Sequence, residues 1–257
     1  MLLGAAIGDI AGSRFELNNY RRTDFDFITA DCGFTDDTVC TVAVAEWALT
    51  NFTADLVPIM KKWCNKYPNA GYGGTFYHWI KFNADPKPYN SWGNGSAMRV
   101  SPVGWLCNDI ESVLEYAKKS AEITHNHPEG IKGAQATAAA IYFARIGKTK
   151  SFIKDFIEQN FHYNLNQTCD EIRPTYRFDV SCQGTVPQAI VAFLESNDFE
   201  HAIRLAISLG GDSDTLAAIT GSIAEAFYKE IPEAIKSKAI QLLPKEFIDI
   251  LSRVKHV

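Results

Sequence analysis

Apolar residues recur at helical spacing along most of the chain. The interval of three or four positions is clear in Val39, Val42, Ala43 and Trp47, and again in Leu216, Ile219, Ile223 and Phe227. Strict alternation of apolar and polar residues, which indicates half-buried strands, is hard to find. The pattern predicts helices at 2–12, 36–50, 53–66, 73–83, 96–107, 109–123, 129–146, 151–160, 186–195, 199–208, 213–229, 232–243 and 245–254. We therefore predict an all-α fold with functional loops at one end of the helices.

The composition favours a single domain over residues 1–257. Hydrophobic residues make up 46% of the chain and charged residues 21%, which is ordinary for a soluble globular protein. No low-complexity linker, charge block or obvious repeat divides the sequence. The net charge of −5 offers no basic face to a nucleic-acid backbone, so a nucleic-acid partner is not indicated.

Cysteine usage and the absence of targeting signals indicate a cytoplasmic protein, and we expect a monomer. The six cysteines are scattered without metal-ligand spacing and are typical of reduced, mostly buried thiols. The apolar start of the chain is short and meets Asp9 and Arg14 too early for a signal peptide. No stretch is long enough to span a membrane.

Two acidic clusters, Thr35–Thr38 and Asp212–Thr215, directly precede long helical patterns. Carboxylate and hydroxyl oxygens at this spacing suit a hard divalent ion such as Mg²⁺ or Mn²⁺. Carboxylates gathered without a cation would repel one another, and their desolvation would be costly. Either cluster alone is more simply explained as helix capping, because Thr, Asp and Ser are the usual residues at helix N-termini.

Three glycine-containing loops also end at the start of a helical pattern. These are Gly71–Thr75, Gly93–Ser96 and Gly210–Asp212. Free backbone N–H groups at helix N-termini bind phosphate, and glycine lets a ligand approach the backbone closely. Singly, each loop is also ordinary turn chemistry.

Five motifs in this order resemble the ADP-ribosylglycohydrolase family, and the likeness covers nearly the whole chain. The founding bacterial member, the dinitrogenase reductase activating glycohydrolase, removes ADP-ribose from an arginine. The motifs are Gly4–Glu16, Phe34–Thr38, Gly93–Arg99, Ile123–His125 and Gly211–Thr215. The resemblance implies a compact orthogonal multi-helix bundle and an ADP-ribose-bearing substrate, such as an ADP-ribosylated protein.

The resemblance also implies a binuclear Mg²⁺ or Mn²⁺ site and a binding surface for ADP-ribose. The implied metal ligands are Thr35, Asp36, Asp37, Asp212, Asp214 and Thr215, with Glu16 as a further metal-associated carboxylate. The diphosphate would lie near Gly93, Asn94, Gly95 and Ser96, with Ser91, Trp92 and Gly73 also in the binding surface. Trp92 is a candidate to stack on adenine, and His125 would lie beside the distal ribose.

The chemistry that follows is hydrolysis at the anomeric carbon of the distal ribose. Such reactions pass through an oxocarbenium-like state and are helped by carboxyl groups that act as acid, base or nucleophile. Metal ions can orient the ribose hydroxyls and lower the pKa of a water molecule. We assign catalytic roles to Glu16, Asp37 and Asp212, although spacing alone does not separate catalysis from ligation.

Several alternatives stay open from the residues alone. An all-α two-metal phosphohydrolase acting on a nucleotide or pyrophosphate would use the same ions, although no His-Asp dipeptide or clear ExxE repeat occurs. A non-catalytic ADP-ribose-binding relative is a second alternative. His125 is either a ligand contact or a buried histidine that fixes its loop. Arg99 is either an ion-pair partner or a phosphate ligand, and Tyr72 either lines the pocket or packs beneath it.

Overall fold

A computed structural model describes residues 1–254 of the chain. Within that range the α-helices are α1 Gly4–Gly12, α2 Asp36–Ala48, α3 Leu56–Lys66, α4 Gly74–Phe82, α5 Gly95–Met98, α6 Ser101–Leu106, α7 Ile110–Glu122, α8 Pro128–Arg145, α9 Lys150–Phe161, α10 Cys169–Ile172, α11 Cys182–Glu195, α12 Phe199–Ser208, α13 Ser213–Tyr228, α14 Glu233–Leu242 and α15 Lys245–Arg253. A 3₁₀ turn, Ser13–Phe15, follows α1. The described residues contain no sheet, only an isolated bridge between Gly93 and Ser181. The prediction of an all-α fold is confirmed.

Several helices begin where a short polar side chain caps them. Asp109, Thr149 and Asp198 each accept a hydrogen bond from a backbone N–H in the first turn of α7, α9 and α12. The side-chain oxygen satisfies an amide that has no partner inside the helix. The outer helices are amphipathic, whereas α8 and α13 are buried along almost their whole length. These two helices therefore form the centre of the core.

Helix α1 packs directly against α13 through a stripe of glycines. A Cβ atom added at Gly4, Gly8 or Gly12 would lie 2.2, 2.0 or 2.5 Å from a backbone oxygen of α13. Because no side chain separates them, the two backbones are in contact, and α1 carries Asp9 into the core. Glu16, which follows α1, is thereby placed at the start of α13.

Two of the predicted helices differ from the structure in an instructive way. The predicted helix 96–107 is two helices, α5 and α6, that are separated at Arg99 and Val100. Pro102 lies in the first turn of α6, where its missing N–H costs nothing and where a helix can begin. Helix α11 begins at Cys182 rather than at 186, because Ser181 caps it. The four-residue helix α10 was not predicted at all.

A contiguous cluster of buried apolar residues extends from Leu2 to Val254. It includes all six cysteines, which are buried and form no disulfide in the structure. No helix within residues 1–254 combines the length and the apolar content needed to cross a membrane. The organisation of residues 1–257 as one domain stays a prediction, and residues 255–257 lie outside the described range.

Candidate active site

A cavity with a volume of about 680 Å³ lies where several helices begin. The first turn of α2 lines one side, and Asp212, Asp214 and Thr215 line another. The start of α4 and the segment that leads into α5 complete the wall. The two acidic clusters that are far apart in sequence therefore meet at one cavity.

Glu16 joins the second acidic cluster through the packing of α1 on α13. One carboxylate oxygen from each of Glu16, Asp212 and Asp214 lies within 4.8 Å of the other two. Gly211 has a φ of +74°, and a Cβ there would lie 2.6 Å from the ring of Tyr176. Only glycine tolerates both conditions, and this turn leads directly into the acidic cluster.

Asp37 provides the first cluster with an unsatisfied buried oxygen. Its Oδ2 accepts a hydrogen bond of 3.2 Å from the hydroxyl of Thr215, whereas its Oδ1 is buried without a partner. Burial, and then the charge of Asp214, raise the pKa of Asp37 well above its usual range. Burial, followed by the charges of Asp9 and Asp212, raises the pKa of Asp36 to about 8. No ion pair within residues 1–254 joins these carboxylates to a cationic side chain, so they fit a divalent ion.

The remaining acids of the site are perturbed in the same direction. Burial is the first cause of the raised pKa of Glu16, Asp212 and Asp214, and neighbouring carboxylates add to it for Glu16 and Asp214. The oxygens are hard donors of the kind that Mg²⁺ and Mn²⁺ prefer. The arrangement is therefore an acidic cluster able to hold metal ions at the bottom of an open cavity.

The capping explanation holds for one cluster and fails for the other. Thr35 is the N-cap of α2, because its hydroxyl accepts a hydrogen bond of 3.3 Å from the backbone N–H of Asp37. Asp212 occupies the N-cap position of α13 but makes no capping hydrogen bond. Its Oδ2 instead accepts from the side-chain amide of Asn94 at 2.6 Å. The carboxylate of Asp212 is thus directed into the site.

Asp9 is a buried residue of the site that the sequence analysis left without a role. It accepts hydrogen bonds from the backbone N–H groups and the hydroxyls of Thr35 and Thr38, and so holds the first turn of α2 in place. Burial raises its pKa to about 6, and these hydrogen bonds oppose that rise. An aspartate within the otherwise apolar run Gly4–Gly12 is a signal that could have identified it.

The predicted ligand-binding loop borders the cavity, although its side chains face different ways. Gly73, Ser91, Trp92, Gly93, Asn94 and Gly95 all line the cavity. Ser91 accepts a hydrogen bond from the backbone N–H of Gly93, and the ring of Trp92 is 52% exposed at the rim. Ser96 is completely buried, and its hydroxyl donates to the carbonyl of Gly130 at 2.7 Å. The side chain of Ser96 therefore supports the loop from beneath.

The structure also places the three residues whose roles were left open. His125 lines the cavity and is 5% exposed. Arg99 is buried and pairs with no carboxylate in residues 1–254; its guanidinium donates to the carbonyl of Ser120 and the hydroxyl of Thr124. Tyr72 packs against the core, and its hydroxyl donates to the carbonyl of Tyr67. Tyr72 thus packs beneath the pocket wall.

The fold and the site together define the class of this protein. It is all-helical, and its carboxylates cluster at a cavity where several helices begin. The family model for ADP-ribosylglycohydrolase matches residues 1–254, so the chain belongs to this family. The family and the names of its relatives identify an ADP-ribosyl hydrolase enzyme. The prediction of the family and of its all-α fold is confirmed.

The individual relatives are distant but extend over most of the chain. The human ADP-ribosylhydrolase ARH3 is 25% identical over 91% of this chain and 86% of its own length. The ADP-ribosylarginine hydrolase Tri1 of Pseudomonas putida is 24% identical over 96% of this chain and 76% of its own. A solved structure titled ADP-ribosylglycohydrolase-related protein complex superimposes with a TM-score of 0.76 at 23% identity, covering 98% of this chain and 94% of that one. This last likeness supports the fold.

Proposed function

We propose that the protein is a metal-dependent hydrolase that releases ADP-ribose from an ADP-ribosylated acceptor, and that this acceptor is a protein. The observation that carries the proposal is the meeting of Glu16, Asp212 and Asp214 with the buried, half-unsatisfied carboxylate of Asp37 at one cavity. The volume of about 680 Å³ falls within the range of small-molecule and cofactor sites. The names of the relatives support ADP-ribose as the group that is removed.

The donor set supports two Mg²⁺ or Mn²⁺ ions. Glu16, Asp212 and Asp214 would contribute to one ion, and the first-turn residues of α2 with Thr215 would contribute to a second. Asp214 belongs with both groups, since its charge acts on Asp37 and one of its carboxylate oxygens lies within 4.8 Å of oxygens of Glu16 and Asp212. When bound, the ions would supply Lewis acidity toward ribose oxygens and toward water.

The protein groups would carry the remaining steps. Glu16 is the half-buried carboxyl of its cluster, and it borders the cavity, so we assign it to orient the attacking water and take its proton. The water oxygen bonds to the anomeric carbon as the bond from that carbon to the acceptor breaks, and a proton passes to the released acceptor atom. Asp37 is buried and Asp212 is held by Asn94, so both are assigned here mainly to holding ions.

The glycine-containing loops would bind the rest of the ADP-ribose. Gly93 and Gly95 leave the backbone open to the diphosphate, and the exposed ring of Trp92 is available to stack on adenine. Phe178 and Val180 add apolar surface to the same cavity. A cytoplasmic location and a monomeric state remain part of the proposal.

The test is a panel of substrates in which ADP-ribose is linked to arginine, to serine or to a nucleic-acid end. Release of free ADP-ribose is measured by chromatography after chelation and after Mg²⁺ or Mn²⁺ is restored. We expect release from at least one linkage, loss with chelator, recovery with metal, and loss in Asp214→Asn but not in the exposed control Asp26→Asn. Formation of AMP and ribose phosphate from ADP-ribose would favour the phosphohydrolase instead. Release of ADP-ribose at an unchanged rate in the presence of chelator would refute metal dependence.

A further inference from the structure

His125 is a buried imidazole with one ring nitrogen inside the protein and the other at the cavity. Its Nδ1 lies 2.6 Å from the hydroxyl of Thr124. Its Nε2 lies 3.5 and 3.2 Å from the positions that a Cβ atom would take at Gly93 and Gly95. No hydrogen bond within residues 1–254 engages Nε2. The glycines therefore leave room for this nitrogen beside the loop that we assign to the diphosphate.

The direction of the hydrogen bond between Thr124 and His125 follows from the neighbours of the hydroxyl. The guanidinium of Arg99 donates to the Thr124 oxygen at 2.9 Å, and a guanidinium has only donors to offer. The hydroxyl has one proton, and Nδ1 of His125 is its hydrogen-bond acceptor among the described residues. That proton therefore points at Nδ1, which leaves Nε2 as the nitrogen that carries hydrogen in a neutral imidazole.

We propose that Arg99 and Thr124 are positioning residues that hold His125 as the neutral Nε2–H tautomer, a fixed hydrogen-bond donor aimed at the Gly93–Gly95 loop. The acceptor would be an oxygen of the diphosphate or of the ribose next to it. The identity of this acceptor rests on the proposed function, whereas the tautomer of His125 does not. The proposal gives Arg99 a role that is neither an ion pair nor a direct phosphate contact.

The charges around the ring support a neutral His125. Arg99 is 1% exposed and has no carboxylate partner in residues 1–254, so a second buried cation beside it would be costly. Burial, and then the charge of Arg99, hold the pKa of His125 well below its usual range. Tyr89 is a further titratable group near the imidazole, and its ring centre lies 6.1 Å from that of His125. The imidazole of His125 is therefore uncharged near neutral pH, where an exposed histidine would be partly charged.

The direct test is ¹⁵N NMR of the histidine-labelled full chain, in which the six histidines are distinguished by a spectrum of His125→Gln. In the native protein we expect His125 to show a protonated Nε2 and an unprotonated Nδ1 at both pH 8 and pH 6. Thr124→Val, which removes the hydroxyl at nearly constant volume, should produce a mixture of tautomers, and Thr124→Ser should restore the single form. Arg99→Met removes the donor that fixes the direction of the Thr124 hydroxyl, so it should relax the single tautomer and should make His125 gain its second proton at a higher pH.

A binding measurement separates this inference from the proposed function. Titration with ADP-ribose in the presence of Mg²⁺ should show an affinity about two- to tenfold lower for Thr124→Val than for Thr124→Ser, as expected for one hydrogen bond. A native His125 that carries hydrogen on Nδ1, or that becomes charged between pH 8 and pH 6, would overturn the inference, as would a Val variant with the native tautomer. If the native protein does not bind ADP-ribose at all, the proposed function fails while the NMR result still decides the tautomer.

Discussion

The contact between α1 and α13 predicts a large effect from the smallest substitution, Gly8→Ala. The new Cβ would lie 2.0 Å from the carbonyl oxygen of Ala217 and 2.3 Å from its carbonyl carbon, whereas ordinary contacts begin at 3.4 Å. Both obstructing atoms belong to the backbone of a buried helix, so no side chain can rotate away. Dense protein interiors contain few voids that could absorb the overlap. The two helices must therefore separate by more than about 1 Å to relieve it.

We expect two consequences from this separation. Overpacking typically costs about 1–3 kcal/mol, and the backbone contact places this variant at the upper end. A loss of about 3 kcal/mol should lower the Tm by roughly 6–12 °C in a chain of this size. Because Asp9 and Glu16 move with α1 while Asp214 moves with α13, the affinity for Mn²⁺ should also fall by about tenfold or more, as for loss of an outer-shell partner.

Thermal unfolding and calorimetric Mn²⁺ titration measure the two effects. The matched control is Gly33→Ala, because a Cβ at Gly33 meets nothing within 4 Å. The control should keep native stability and metal affinity. A Gly8→Ala protein with the native Tm and Mn²⁺ affinity would show that direct contact of α1 with α13 does not position the acidic cluster.

Three further predictions concern buried polar groups. Asp9→Asn should destabilise the protein by about 3 kcal/mol or more in chemical denaturation, because its NH₂ group would face donors that the carboxylate now accepts from. Asn94→Ala should weaken Mn²⁺ binding about 10- to 100-fold in calorimetry, because Asp212 would lose the amide that orients it. Glu225 accepts from the first backbone N–H groups of α1, and burial raises its pKa from 4.5 to about 7. The protonated carboxyl therefore stabilises the fold fully below pH 4.5, and this contribution is lost as the pH rises through 7. Between pH 4.5 and pH 8 the free energy of unfolding should consequently fall by about 3 kcal/mol less in Glu225→Gln than in the native protein.

Matched controls for these variants use exposed residues of the same type. They are Asp26→Asn, Asn197→Ala and Glu230→Gln, which make the same chemical change without removing a buried hydrogen bond. Native stability in Asp9→Asn, native Mn²⁺ affinity in Asn94→Ala, or an unchanged pH dependence in Glu225→Gln would each contradict the corresponding argument.

Helices could be predicted from the chain alone because their causes are local. Apolar spacing and capping residues located almost every helix, and the family motifs contain many of the residues that line the cavity, although Ser96 lies beneath it and Phe178 and Val180 fall outside the motifs. Two short elements were missed although the chain carries local signals for them: α10 opens with a capping box between Thr168 and Glu171, and Pro102 lies at the start of α6. A helix of four residues presents too few apolar positions for a periodic pattern to reveal it.

What the sequence by itself determined was the kind of residue available at each helix start: acids, glycines and small polar caps. Only the tertiary structure decided which of them act together. Thr35 and Asp212 look alike as helix starts, yet one caps its helix and the other is turned into the site by Asn94. Asp9 acquired its role because a stripe of glycines lets α1 touch α13 and reach the start of α2. Local sequence sets backbone conformation, but the distance between remote side chains depends on how closely helices pack, and that is a property of the whole core.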